Sequence, residues 1–143
     1  MVAIPERKIS ETILDFGEPL LSHFPDDVPL KTLHEAFKTV ILIWNAHVMA
    51  TPVWGKPGHL RDLEKAMKGP TAPPEMESMV RHLTKRWLDE FRDDPRAVGH
   101  WKILRDAAGE LRFRCEARVP HGLLAGAKNE DIPERWTQRE QGL

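Results

Sequence analysis

The sequence predicts a mainly α-helical protein with a C-terminal β-hairpin, an α+β fold in which a small helical bundle surrounds a central apolar helix over residues 30–50. Three observations lead to this prediction. Apolar residues recur at helical spacing through most of the first 91 positions. The stretch TVILIWNAHVMA, residues 39–50, is apolar around most of a helical circumference, as in a helix covered on several sides. Residues 111–119 alternate apolar with mostly charged side chains, which is typical of a half-buried strand.

Four helical segments are expected before the hairpin. In the first, residues 10–24, an apolar stripe follows the 100° step of a helix, and Pro19 inside it predicts a kink or two shorter helices. The central helix is the second. The third, residues 59–67, is short and amphipathic, and the fourth, residues 74–91, has the most regular amphipathic pattern. The apolar face of the fourth helix is predicted to contain Met76, Met79, Val80, Leu83, Trp87 and Phe91.

The hairpin is predicted over residues 100–119. Its DAAGE turn contains Gly109, which can adopt positive φ, and joins WKIL to the alternating strand. Because a two-stranded hairpin alone is marginally stable, its apolar face must lie on the helices or on the sheet of another chain. We therefore interpret residues 1–119 as a single domain. Residues 120–143 show little periodicity and are expected to form a tail that docks on this domain or binds a partner, with Trp136 as its anchor.

The composition is that of an ordinary globular protein. Hydrophobic residues make up 41% of the chain, charged residues 30%, and the net charge is −1. No apolar run approaches the roughly 20 residues needed to cross a bilayer, and the first ten residues lack the apolar core of a secretory signal. The single cysteine, Cys115, cannot form an internal disulfide, which favours a reducing compartment. We expect a cytoplasmic protein with no membrane partner.

Seven histidines raise the question of a metal site or a histidine-based enzyme. Zinc ligands usually lie close in sequence, and here no two histidines are three to five residues apart. Convergence in space is the alternative, with His47, His59 and His100 as the expected set. His47 alone could be a buried general base, but no carboxylate lies three or four positions away to orient it. A buried imidazole bonded to one carbonyl or hydroxyl explains His47 as well, so no metal or cofactor is expected. The helical projection places Asn45 towards the solvent edge.

Charge is unevenly distributed along the chain. Residues 1–35 carry three basic and seven acidic side chains, whereas residues 81–118 carry ten basic and seven acidic ones. A basic ribbon is predicted on the outer face of the hairpin from Arg112, Arg114 and Arg118, joined by Lys102 or Arg105 of the neighbouring strand. Such a ribbon can enter a major groove, where arginine reads guanine. Glu116 interrupts it, and arginines on an outer strand face also protect against edge aggregation. Nucleic-acid binding is therefore an alternative function.

No nucleophile elbow or glycine-rich phosphate loop occurs in the sequence. The segments ISETILDFGEPLL, VILIWNAHV and RDDPRAVGHW together resemble a group of small bacterial helical proteins, and this resemblance implies no activity or site residue. The expected function is a non-enzymatic protein-interaction module of the accessory, antitoxin, immunity or defence kind. Its partner would be another protein, or a second copy of the chain in a homodimer. A histidine-based, metal-dependent enzyme and a nucleic-acid binder are the alternatives.

Overall fold

The computed structural model describes residues 4–69 and 74–120. Its elements are four helices, a π-helical turn and two strands: α1 (Ile9–Leu21), α2 (Leu30–Met49), α3 (Gly58–Lys68), α4 (Pro74–Arg86), the π-helical turn (Trp87–Phe91), β1 (Ala97–Arg105) and β2 (Leu111–Arg118). The predicted mainly helical α+β fold with its C-terminal hairpin is confirmed. The predicted tail, including Trp136, lies outside the described residues apart from Pro120.

The central position of α2 is also confirmed. This helix contacts α1, α3, α4 and β1. Its Trp44 is fully buried and meets two other aromatic rings edge-on, Phe16 of α1 at 5.2 Å and Phe91 at 5.7 Å between ring centroids. Edge-to-face aromatic contacts of this kind add to the free energy of apolar burial. The apolar run read from the sequence therefore forms the centre of the core.

The first helix continues through Pro19 as one element and does not divide. A proline inside a helix lacks the N–H that would bond the carbonyl four residues earlier, which here belongs to Asp15. The guanidinium of Arg86 supplies the missing donor, because its Nη2 donates to the Asp15 carbonyl oxygen at 2.6 Å. Arg86 Nε also donates to the Phe16 carbonyl oxygen at 3.3 Å. Of the two predicted alternatives, a kink or two shorter helices, the second was wrong, and Arg86 of α4 bonds the carbonyl that Pro19 leaves free.

The two strands pair in antiparallel register and pack on α2. Trp101 opposes Cys115 and Ile103 opposes Phe113, so the apolar face is continuous across both strands. Phe113 lies against Phe37 of α2 at 4.7 Å between ring centroids. Gly109 has φ of 81° in the connecting turn, as the sequence predicted. The first strand begins at Ala97, earlier than the predicted position 100, and an irregularity in the register follows Val98.

A buried ion pair fixes the segment that leads into β1. Arg96 and Asp94 have side chains only 3% and 7% exposed, and Arg96 Nη2 lies 2.7 Å from Asp94 Oδ2. The same guanidinium donates to the Arg7 carbonyl oxygen at 2.6 Å and to the Thr12 hydroxyl at 3.2 Å. In turn, the Trp44 indole donates to the Arg96 carbonyl oxygen at 2.7 Å. These bonds tie the start of the hairpin to both α1 and α2.

Candidate interaction groove

A groove of about 390 Å³ lies between α3 and α4, with α2 beneath it. Both α3 and α4 contact α2, whereas these two helices make little contact with each other. The side chains that line the groove are His47, Leu60, Leu63, Glu64, Met67, Lys68, Glu77, Val80, Arg81, Thr84, Lys85, Leu88 and Asp89. This volume is within the range of ligand-binding clefts in proteins.

The apolar residues of the α3 wall follow helical spacing. Leu60, Leu63 and Met67 stand three and four positions apart and so lie on one side of the helix. Leu63 is buried against the core, whereas Leu60 and Met67 are partly exposed. The sequence predicted that all three face inwards. The structure shows that they do so only partly, because part of this face lines the groove.

The α4 wall shows the same spacing, with Val80, Thr84 and Leu88 at intervals of four residues. Leu88 belongs to the π-helical turn, and 48% of its surface is exposed. Large apolar side chains left this open often mark a binding surface when they share a concave site. The sequence reasoning missed Leu88, since the predicted apolar stripe of residues 74–91 did not include it. An apolar residue outside the stripe was the available signal.

His47 lies on the floor of the groove. It is 7% exposed, and its Nε2 is 2.9 Å from the Thr84 hydroxyl. Its ring stacks on that of Trp87 at 5.3 Å between centroids and an angle of 23°. Burial lowers the pKa of His47 below its ordinary value of 6.5, and the opposite, smaller effect comes from the carboxylate of Glu64 on α3. The expected hydroxyl partner of a buried imidazole is therefore present, and His47 also lines a cavity.

The π-helical turn that continues the α4 wall of the groove has two unusual features. Residues 87–91 form a π-helix, a conformation that is rare and is found at functional sites more often than elsewhere. The indole Nε1 of Trp87 is buried and has no hydrogen-bond partner among the described residues. An unpaired buried donor costs free energy, and folded proteins contain few of them. Both features lie in the element that also supplies Leu88 and Asp89 to the groove.

The three histidines of the predicted set differ in their surroundings. His47 is buried on α2, whereas His59 at the start of α3 and His100 on β1 are exposed. Within residues 4–69 and 74–120, no group of three or more His, Cys, Asp and Glu side chains could hold a metal ion. A second, shallower depression of about 570 Å³ between α1 and α4 includes His23 and His82, both exposed. It lacks the buried polar floor of the groove.

Asn45 is not at a solvent edge, which corrects the helical projection. Its Nδ2 donates to the Val98 carbonyl oxygen at 2.9 Å, and the Val98 N–H donates to its Oδ1 at 2.7 Å. The side-chain amide thus pairs with both peptide groups of one residue of β1. The projection placed Asn45 on the correct side of α2 but could not show that β1 packs against that side.

The basic ribbon of the hairpin is largely neutralised by neighbouring carboxylates. Arg112 Nε is 2.9 Å from Asp106 Oδ2, and Arg118 Nε is 2.7 Å from Glu116 Oε1. Of the outer-face cations, Arg114 and Lys102 oppose each other in the register. Neither forms an ion pair with any described residue. Arg105 lies elsewhere and donates to the Val28 carbonyl oxygen at 2.9 Å.

Comparison of the chain with protein-family models, with curated proteins and with solved structures gives no significant match. Among the helices that the structure describes, none has both the length and the apolar character needed to span a bilayer.

Proposed function

We propose that the protein is a non-enzymatic interaction module that binds an amphipathic helix of a partner protein in the groove between α3 and α4. One observation carries this proposal: apolar residues line both walls, three on α3 and two, Val80 and Leu88, on the opposite wall, and the two walls make little contact with each other. An amphipathic helix inserts its own apolar stripe into a groove of this kind, with anchors at positions i, i+3 or i+4, and i+7. It would complete a packing layer that α3 and α4 leave open above α2.

The dimensions of the groove suit a short helix. Its lining runs from Leu60 to Lys68 on α3 and, on the other side, from Glu77 of α4 to Asp89 of the π-helical turn. At a rise of about 1.5 Å per residue, these walls are roughly 12 and 18 Å long. A bound helix of about 8–12 residues would therefore contact both walls along its length. Packed helices have axes about 8–10 Å apart, so the anchors of such a helix would reach the floor near His47.

The charges around the groove define the chemistry of the partner. Its lining includes three acidic and three basic side chains, namely Glu64, Glu77, Asp89, Lys68, Arg81 and Lys85. On α4 and the π-helical turn that follows it, four of these residues form ion pairs, Glu77 with Arg81 at 2.6 Å and Lys85 with Asp89 at 3.3 Å. A rim without net charge complements a near-neutral helix that has both signs beside its apolar stripe. Nucleic acid would require an excess of cations.

The cellular setting and the source of the bound helix belong to the same proposal. The one cysteine, Cys115, is buried in the hairpin, in keeping with a protein of a reducing cytoplasm. An accessory role of the antitoxin, immunity or defence kind suits a small domain whose clearest surface feature is a docking groove.

A second copy of the chain is the alternative source of the helix. In that case, light scattering of the purified protein would show a dimer that the Leu88→Asp substitution dissociates.

A display library of helical 16-residue peptides tests the proposal directly. The library is selected on the wild-type protein and depleted on Leu88→Asp, which places a charge in the groove. Leu42→Asp is the matched control, since Leu42 is 56% exposed on α2 and does not line the groove. We expect enriched peptides with the i, i+3 or i+4, i+7 apolar pattern that bind Leu42→Asp as well as wild type and Leu88→Asp at least tenfold more weakly. Peptides without the pattern, or equal binding to both variants, would refute the proposal.

A further inference from the structure

His47 places a titratable side chain on the floor of the groove. One ring nitrogen is engaged by Thr84, and the ring face lies on Trp87. The second ring nitrogen forms no hydrogen bond to any described residue, and the side chain lines the groove. A helix that docks in the groove would therefore cover His47 with apolar side chains and exclude water from its free edge.

We propose that the groove accepts a partner helix only while the His47 imidazole is neutral, and that protonation of the ring releases the helix. This inference rests on the proposed docking function and adds its regulation. In the empty groove only 7% of His47 is open to solvent, and an imidazolium would be hydrated only at that edge. A docked helix would cover the edge and remove this last hydration, which is strongly unfavourable for a charge without a paired counter-ion.

Some surroundings of His47 favour the charged imidazolium and others favour the neutral ring. The carboxylate of Glu64 and the face of Trp87 favour the charged ring, since an aromatic face attracts cations. Burial opposes them and is the larger effect, so the pKa of His47 is already lowered in the free protein. The charged side chains that face the groove from the packed elements are Glu64 and Lys68 of α3, Glu77, Arg81 and Lys85 of α4, and Asp89 of the π-helical turn. On α2 itself, the positions three and four residues from His47 carry no charge.

Linkage sets the sign and the size of the effect. If the bound state disfavours protonation, affinity is constant above the pKa of His47 in the free protein and falls as the pH drops through that pKa. One proton can change affinity by at most about tenfold per pH unit. Because the pKa lies below 6.5, affinity is expected to be level at pH 7 to 8 and to decline at lower pH.

Fluorescence polarisation from pH 8.0 to 4.5 measures this dependence. The probe is a labelled amphipathic peptide from the selection, rebuilt with Leu, Ala, Lys and Gln so that it does not titrate in this range. The pKa of His47 in the free protein and in the complex is read separately from its imidazole NMR signals. We expect affinity to fall with a midpoint at the free-protein pKa, and that pKa to decrease further when the peptide binds.

Three variants separate this inference from its alternatives. His47→Gln keeps an amide that can bond Thr84 but does not titrate, so its affinity should not vary with pH, whatever its value at pH 8.0. Glu64→Gln should move the midpoint to lower pH, since it removes the group that favours the charged ring. His82→Gln, an exposed histidine outside the groove, should keep the wild-type profile.

The outcomes distinguish the two proposals. Groove-dependent binding that does not change with pH, or a pH dependence that survives in His47→Gln, would overturn the switch and leave the docking function standing. No groove-dependent binding at pH 8.0 would overturn the docking function and the switch together. Circular dichroism at pH 4.5 establishes that each variant remains folded, and a variant that unfolds is compared over the range in which it is folded.

Discussion

Replacing Asp94 by leucine is expected to destabilise the fold strongly. The carboxylate accepts two bonds from the Arg96 guanidinium, at 2.9 Å from Nε and 2.7 Å from Nη2. Arg96 is 2% exposed, so without this partner a cation is left in the core. Removing one partner of a buried ion pair costs about 3–5 kcal/mol. For a domain of this size, that loss corresponds to a decrease in Tm of roughly 10–20 °C.

The double variant Asp94→Leu, Arg96→Met tests the cause of this loss. A buried ion pair can often be replaced by apolar residues at little cost, so the double variant should recover most of the stability that Asp94→Leu loses. Urea unfolding followed by tryptophan fluorescence measures all four members of the cycle. The Trp44 indole donates to the Arg96 carbonyl oxygen, so its emission should report on this region.

A second arginine–carboxylate pair provides the control. Arg86 and Glu90 are 2.8 Å apart, but 55% of the Glu90 side chain is exposed. Exposed pairs at this helical spacing contribute about 0.3–0.5 kcal/mol, so Glu90→Ala should have little effect. A loss below about 1 kcal/mol for Asp94→Leu would show that the Arg96 charge is solvated after the substitution. A double variant less stable than Asp94→Leu would show that the unpaired charge is not what destabilises the fold.

Four further predictions concern single sites. Asn45→Leu should lower the unfolding free energy by about 2–3 kcal/mol and speed amide exchange at Val98, whose two peptide groups lose their partner. The unfolding free energy should fall as the pH drops below 6.5, because His47 binds a proton at a higher pH in the unfolded chain than in the folded one. Urea titrations at pH 5 and 7 measure this difference in unfolding free energy, which should be smaller for His47→Leu than for the wild type. Lys102→Glu should raise the unfolding free energy by about 0.5 kcal/mol, since it turns a like-charge cross-strand pair with Arg114 into an attractive one. Duplex DNA should show no specific binding and a shallow salt dependence in a filter assay, since on the outer face of the described hairpin only Arg114 and Lys102 lack an ion pair and few counterions would be released. A steep salt dependence lost in Arg114→Ala would restore the nucleic-acid alternative.

Local periodicity was enough to predict the elements of the fold. The central helix over residues 30–50 and the alternating strand followed from spacing alone, because burial on one side leaves a pattern in the sequence. Pro19 is an example of a residue whose effect local sequence rules did not predict. The rule that proline breaks a helix assumes that the freed carbonyl has no other donor, and only the fold shows that Arg86 provides one.

The candidate site was less predictable than the fold. His47 was recognised as an unusual polar residue in an apolar arc, and its hydroxyl partner was the expected kind. The cavity above it depends on the distance between α3 and α4, which no local pattern encodes. Leu88 was missed for a related reason: the projection placed it off the buried face, in agreement with its 48% exposure, and no local pattern shows that α3 lies across the groove from it.

The amide of Asn45 has a consequence for self-association. A two-stranded sheet has two outer edges, and exposed strand edges can recruit strands from other molecules. Because both peptide groups of Val98 are occupied by a side chain of α2, the row of groups along the outer edge of β1 is interrupted near its start. At this position the Asn45 side chain forms the hydrogen bonds that a neighbouring strand would form. A strand from another molecule therefore cannot pair continuously along that edge.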